Sequence, residues 1–377
     1  MKKILFVFSS TEFYSGADSV VTQLGFYLKK IFSVAGVFPD RGDLYKKWHE
    51  KNTNSFIIPF IPAGRHSLTF PRIFLYLTVN ILYSFFLSWQ IIFCKVDILH
   101  INDIYNIQAM LIGRLTCRKV VVHVHAGVFP SNKIKKFILL LAEFLAHRLV
   151  FVSNSVAELW YEGRLFSPKA TIIHNMYPDK EYFDPLKYAG KKKQRFVVGM
   201  VSKMCREKGH KYFIEIAKKL HDSEYRDVEY HIVGGKIRGH EAYYAEIINR
   251  INASGLKEDF VLFGKIKNVA EKISGMDVFV HTPDFPDPFP TVVLEAMMMK
   301  KPVICFRVGG IPEQLIDGES GILVSYGDVD RLADEIVKLY NNPALREKIG
   351  EQARNHVLSQ FDKDKIIGEF AELYNSL

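Results

Sequence analysis

Short apolar runs of strand length alternate with helix-period patterns from one end of the chain to the other. The runs predict strands over residues 4–8, 34–38, 55–58, 97–101, 119–124, 148–152 and 171–173, with helical segments between them. After Pro178 the periodicity lapses into a polar, basic stretch that ends at Gln194. The pattern then restarts, predicting strands over 196–201, 229–233, 260–262, 278–281 and 302–305. Strand–helix–strand order repeated in this way implies parallel sheets covered by helices on both faces. The expectation is an α/β chain of two Rossmann-like domains, residues 1–178 and 195–360, joined by a linker over 179–194. A last amphipathic pattern, residues 363–374, is free to pack against either.

The chain has 377 residues, long enough for two such cores. Its formal charge of +9 favours anionic partners, whether phosphorylated ligands, an acidic membrane surface or nucleic acid. No nucleic-acid-binding motif is present and the cations are dispersed, so nucleic acid is not expected. The run Lys191-Lys192-Lys193 reads as solvated linker. Cys94, Cys117, Cys205 and Cys305 form no CxxC pair, which predicts reduced, mostly buried thiols and neither zinc nor a disulfide framework. The basic start and apolar run at residues 1–10 resemble a signal peptide, but the run is short and leads into a turn containing glycine. It reads as a first strand that is not cleaved, and the compartment as cytoplasmic.

Candidate chemistry gathers where these strands end, the edge at which parallel sheets bind ligands. The segment Asp287-Pro288-Phe289-Pro290-Thr291-Val292-Val293-Leu294-Glu295 sets two carboxylates eight residues apart across a proline-rich turn that opens a helix. Free amides at that helix start, around Phe289, Pro290, Thr291 and Val292, suit a diphosphate. Asp287 and Glu295 on either side can accept from sugar hydroxyls. Taken alone, the same residues fit a cap and a dipole partner. Lys203 follows the strand at 196–201, and Lys208-Gly209 precedes the next helix. His125 ends the strand at 119–124, with His123 two residues earlier on the same face in a structural role. Gly16 lies in the turn after the first strand. Gly309 and Gly310 follow the strand at 302–305 and would let backbone amides approach a phosphate.

Together these residues resemble the retaining glycosyltransferases of family 4, which have the GT-B fold, and the resemblance covers essentially the whole chain. Asp287 and Glu295 match the family's E-x7-E motif with Asp in first place. In the family the first acid contacts the donor sugar and the second the nucleotide ribose. Lys203, where the family usually has Arg, and Lys208 match its clamp on the donor diphosphate. Gly16 matches a glycine of the N-terminal Gly-rich turn, His125 the histidine near the reacting centre, and Asn175 the segment before the linker. Gly309-Gly310-Ile311-Pro312-Glu313 followed by Asp317-Gly318-Glu319-Ser320-Gly321 matches closely. The resemblance implies two domains facing across a cleft, with residues 361–377 crossing back to the N-terminal domain. It also implies sugar retention through a front-face reaction in which the leaving phosphate deprotonates the acceptor. Asp for Glu shortens the reach to the sugar, and Lys for Arg loses the planar fork on phosphate.

The expected activity is therefore transfer from a nucleotide-diphospho-sugar, a UDP-sugar first among them, to a glycan or lipid-linked acceptor in bacterial surface polysaccharide or lipopolysaccharide assembly. Lys203, Lys208 and the helix start would stabilise the departing diphosphate without a metal or a cofactor. Asp328-Val329-Asp330 and Asp362-Lys363-Asp364 look like D-x-D metal motifs but precede amphipathic helices and read as caps. The rival activities are a GT-B phosphorylase or epimerase and a non-catalytic nucleotide-sugar-binding subunit. From Ile73 to Cys94 no residue is charged. Asn80, Ser84 and Ser88 make one polar stripe there. Since the next strand must rejoin the same sheet, burial or contact with an anionic membrane is expected rather than a crossing, with Lys133, Lys135 and Lys136 assisting the contact. That would put the protein at the inner face of the cell membrane.

Overall fold

A computed structural model describes residues 1–9, 16–50, 54–60, 70–125, 132–177, 179–188 and 195–377, the side chains of 70–77 excepted. The chain divides into two compact units, Met1–Asn175 with Lys363–Leu377, and Met176–Asp362.

In the first unit strands and helices alternate: β1 (Lys3–Val7), α1 (Gly16–Leu28), β2 (Ser33–Phe38), α2 (Asp43–Glu50), β3 (Asn54–Ile57), α3 (Phe70–Phe93), β4 (Ile98–Ile101), α4 (Ile107–Leu115), β5 (Lys119–Val124), α5 (Asn132–Leu145), β6 (Arg148–Phe151), α6 (Asn154–Tyr161) and β7 (Ala170–Ile172). Among the described residues these strands form one parallel sheet in the order β3-β2-β1-β4-β5-β6-β7. The basic start of the chain runs straight into β1, a central strand buried along Ile4–Val7.

The second unit repeats the plan with β8 (Phe196–Val201), α7 (His210–Asp222), β9 (Val228–Val233), α8 (Glu241–Ala253), β10 (Phe260–Gly264), α9 (Val269–Ser274), β11 (Val278–His281), α10 (Thr291–Met298), β12 (Val303–Phe306), β13 (Ile322–Val324), α11 (Val329–Asn341) and α12 (Pro343–Gln360). Its parallel sheet has the order β10-β9-β8-β11-β12-β13. β13 is a strand that the sequence pattern did not single out. A last helix, α13 (Lys363–Asn375), belongs to the first unit, where Ile366, Ile367, Phe370, Leu373 and Tyr374 are buried.

Several sequence expectations need correction. Residues 179–188, read as linker, are part of the second unit: Pro185–Tyr188 forms a helical turn, Tyr182 Oη donates to the Lys267 carbonyl at 2.8 Å and Tyr188 Oη reaches Asn268 Oδ1 at 3.2 Å. Residues 189–194, including the lysine run, lie outside the described residues. Of the thiols, Cys205 and Cys305 are buried, but Cys94 is half-buried and Cys117 exposed. Lys135 is no surface cation. It is buried, donates to the Leu159 carbonyl at 2.8 Å and pairs with Glu162. Among the described residues no helix is long and apolar enough to cross a membrane.

Candidate active site

In a parallel α/β sheet the open crevice lies where strand order reverses, here between β8 and β11 in the second unit. The loops leaving those two strands carry Lys203 and Lys208 on one side and Asp287 on the other. Residues Arg206–Lys208 form a 3₁₀ turn that ends at Gly209, which has φ +65°. A Cβ there would lie 1.9 Å from the Thr282 carbonyl oxygen, so only glycine lets the Lys208 loop close onto the end of β11. Lys208 Nζ then forms an ion pair with Asp287 Oδ2. Burial favours the neutral carboxyl, yet the Lys208 charge beside it holds Asp287 well below the usual carboxylate range. Burial likewise opposes the Lys208 charge, and Asp287 more than restores it. Lys203 is exposed on the same edge and makes no ion pair among the described residues.

The Asp287 loop is held from two further sides. Gly309, at φ +58°, packs so closely that a Cβ would lie 2.2 Å from the Asp287 carbonyl oxygen, and the Gly310 amide donates to that oxygen at 2.9 Å. That bond removes the Gly310 amide from those open to a phosphate. Upstream, Asp284 accepts from Lys211 Nζ at 2.8 Å and from Tyr212 and Tyr326 hydroxyls at 2.9 Å each, while its amide donates to the Glu207 carbonyl.

Pro290 stands at the N-cap of α10 and offers no side-chain cap, so among the described residues the first amides, at Thr291 and Val292, remain uncapped. The Gln314 amide fixes the turn by donating to the Pro290 carbonyl at 3.0 Å. Phe289 faces inward, its ring 5.5 Å from that of Phe361, leaving only its backbone for a ligand. One turn into the helix, Glu295 is enclosed enough that burial raises its carboxyl to about 7, against a hydrogen bond from Thr291. An uncapped helix start thus lies between an ionised acid and one that titrates near neutrality.

His281 at the end of β11 escaped the sequence reading. It is fully buried, and its Nε2 lies 3.4 Å from Asp287 Oδ2, a contact too poorly aligned to satisfy the ring. Burial lowers its pKa, so it faces the Asp287–Lys208 pair as a neutral group. The signal was present, since the strand-end position that singled out His125 applies equally to His281.

In the first unit, Gly16 is the first residue of α1; the turn before it, residues 10–15, lies outside the described residues. The same helix carries buried Asp18, which accepts from Asn102 Nδ2 at 3.2 Å beyond β4, beside that sheet's reversal point. His125 leaves the end of β5 and stacks on His123 with ring centroids 4.0 Å apart. Burial lowers the His125 pKa to about 3, and its Nε2 has no partner among the described residues. His123 continues the contact to His100, whose Nδ1 meets the Tyr374 hydroxyl at 2.6 Å.

Of the acids in the two D-x-D look-alikes, Asp328 caps α11 by accepting from the Arg331 amide at 3.0 Å, Asp330 pairs with Lys219, and Asp362 accepts from the Tyr177 hydroxyl at 3.0 Å. Among the described residues no group of three or more His, Cys, Asp or Glu is placed to hold a metal ion.

Comparison with known proteins adds relatives, a solved structure and a family model. The chain is 39% identical over 118 residues to N-acetyl-alpha-D-glucosaminyl L-malate synthase of Bacillus anthracis, covering 31% of each chain. It is 30% identical over 190 residues to the capsular polysaccharide biosynthesis glycosyltransferase CapM of Staphylococcus aureus, 48% of this chain and 46% of that one. These alignments span less than half of either relative. A longer match, 26% identical over 302 residues, covers 74% of this chain and 75% of the UDP-Gal:alpha-D-GlcNAc-diphosphoundecaprenol alpha-1,3-galactosyltransferase of Escherichia coli. Among solved structures, HepE of Anabaena in complex with UDP and glucose superposes with a TM-score of 0.85 at 20% identity, covering both chains in full. The fold is GT-B, and residues 186–356 match the family model described as Glycosyl transferases group 1.

Proposed function

We propose that this chain is a retaining, metal-independent glycosyltransferase. It moves a sugar from a nucleotide-diphospho-sugar, a UDP-sugar, to a glycan or lipid-linked acceptor in surface polysaccharide or lipopolysaccharide assembly. It acts in the cytoplasm, at the inner face of the membrane. The observation that carries the reading is the Lys208–Asp287 pair beside the uncapped start of α10 at the sheet's reversal point. The donor's diphosphate lies against the Thr291 and Val292 amides, and Glu295 accepts from the ribose. As the bond from the anomeric carbon to the phosphate oxygen breaks, negative charge grows on the diphosphate, and Lys208 and Lys203 stabilise it. Asp287 holds the sugar hydroxyls. The acceptor oxygen bonds to the anomeric carbon on the same face, and its proton passes to the departing phosphate. His125 positions the donor or the acceptor.

The relatives support the substrate classes: one is named for a diphosphoundecaprenol acceptor and a UDP-sugar donor, and a solved neighbour holds UDP. The test is a screen of nucleotide-sugars with a lipid-linked acceptor extract, with and without a chelator. Transfer that survives EDTA and keeps the anomeric configuration is the expected result. Activity lost to EDTA and restored by magnesium or manganese would defeat the metal-free mechanism. Nucleotide binding with no transfer from any donor would make the chain a binding subunit.

A further inference from the structure

The helix α3 is apolar on its inward and its outward sides. Tyr83, Leu87 and Ile91 are buried, and the polar stripe lies toward α4: Ser84 Oγ donates to the Asn80 carbonyl at 2.9 Å, and Gln108 of α4 donates to that carbonyl at 2.6 Å and to Ser84 Oγ at 2.5 Å. Its outward face is apolar, with Phe85 64% and Trp89 52% exposed. The helices α3, α4 and α5 lie side by side, and the outer sides of the other two continue the surface with Leu115, 74% exposed, and with Phe137, Leu140 and Phe144. Isolated exposed apolar residues are ordinary in soluble proteins, but a contiguous layer of this kind marks a contact surface.

We infer that the outer surface of the α3–α4–α5 layer docks onto a bilayer with acidic headgroups, held chiefly by its aromatic and aliphatic side chains entering the headgroup region. Charge chooses this occupant over a second copy of the chain. Among the described residues the layer exposes Arg114 and Lys133, and Lys136 shares Glu162 with Lys135, whereas the nearby acids are engaged: Glu162 by those two lysines and Glu143 by the Tyr161 hydroxyl that donates to it. Two copies joined face to face would set these cations against their own counterparts. Acidic lipid offers them partners instead, and the interior side of the headgroups accommodates the rings. The inference deepens the membrane part of the proposed function and rests on it, but not on the donor chemistry.

The chain carries its own probe. Of its three tryptophans, Trp48 and Trp160 are buried and Trp89 is exposed in the layer. With vesicles of phosphatidylcholine and phosphatidylglycerol, the emission of Trp89 should shift to the blue and be quenched by bromine-labelled acyl chains. Binding to phosphatidylcholine alone should be weaker but present. The variant Phe85→Ser/Phe137→Ser/Phe144→Ser should lose vesicle affinity by about tenfold per ring. It should keep the wild-type melting curve and its transfer to a soluble acceptor. Lys133→Glu/Lys136→Glu should abolish the preference for acidic vesicles and leave binding to neutral ones. The docking surface is overturned by unmoved Trp89 emission on both vesicle types, by wild-type affinity in the triple variant, or by loss of all binding on neutral vesicles. A doubled mass in solution that the triple variant abolishes would overturn it in favour of a second copy. Absence of transfer with normal vesicle binding would instead refute the donor chemistry alone.

Discussion

In the proposed donor site, Glu295 sits in a conflict between folding and binding. Burial raises its carboxyl to about 7, whereas an unfolded chain releases that proton near pH 4.3. Between those values the folded protein holds a proton that the unfolded chain has lost. The associated stability is complete below about pH 4.3 and disappears as pH rises through 7. Glu295→Gln should therefore stabilise the ligand-free protein by about 1–2 kcal/mol at pH 8, allowing for the partial solvent access of the carboxyl, and leave it unchanged near pH 4. Melting curves across that range check the sign. In calorimetry with UDP, Glu295→Ala should weaken binding by about 1.5–3 kcal/mol, and an unchanged dissociation constant would remove Glu295 from the donor site. The Lys208–Asp287 pair behaves differently. Lys208→Met strands a mostly buried carboxylate, so urea unfolding should show a loss of about 2–4 kcal/mol. Adding Asp287→Asn should recover most of that stability while turnover stays lost. If the double variant regains activity, the pair is structural only.

At the scale of elements, the strand ends were legible because apolar runs bounded by turns mark where a parallel sheet opens. Asp287, Glu295, Lys203 and Lys208 follow strand ends in the sequence, and all four lie at the same edge of the second sheet. Other features depend on contacts that periodicity cannot carry. The polar stripe of α3 was visible in the sequence, but its direction depends on Gln108, which lies in another helix. Lys135 looked like part of a basic cluster, and only the approach of Glu162 from beyond α6 turns it inward. Gly309 and Gly310 were legible as glycines that let backbone amides approach a phosphate but not as the clamp on Asp287. That clamp is testable against Gly318, whose φ of +76° is also left-handed but which has open space around its Cβ position. Gly318→Ala should cost roughly 1 kcal/mol of stability from backbone strain alone. Gly309→Ala should cost more and, by displacing the Asp287 loop, lower turnover far beyond its effect on folding. Equal turnover in the two variants would show that the loop tolerates the shift.

At the scale of the whole molecule, the order of the chain and the order of its folding units differ, since α13 follows the entire second unit yet completes the first. It buries Ile366, Ile367, Phe370, Leu373 and Tyr374, with Tyr374 bonded to His100 inside β4 and the Phe370 ring tilted against His123 in β5 at 5.4 Å. Each such side chain is worth about 1.5–3 kcal/mol on burial, an upper estimate because the unfolded chain is not fully extended. Five together approach the 5–15 kcal/mol that typically holds a whole domain. A chain ending at Asp362 should therefore lose the cooperative unfolding of its first unit, while the second, with its own core from β8 to α12, still melts as one body and still binds UDP. Calorimetry should show one transition where the full chain shows two or a single merged one, and limited proteolysis should digest residues 1–175 first. A truncated chain whose first unit melts at the full-length temperature would mean that α13 only covers that core and does not hold it together.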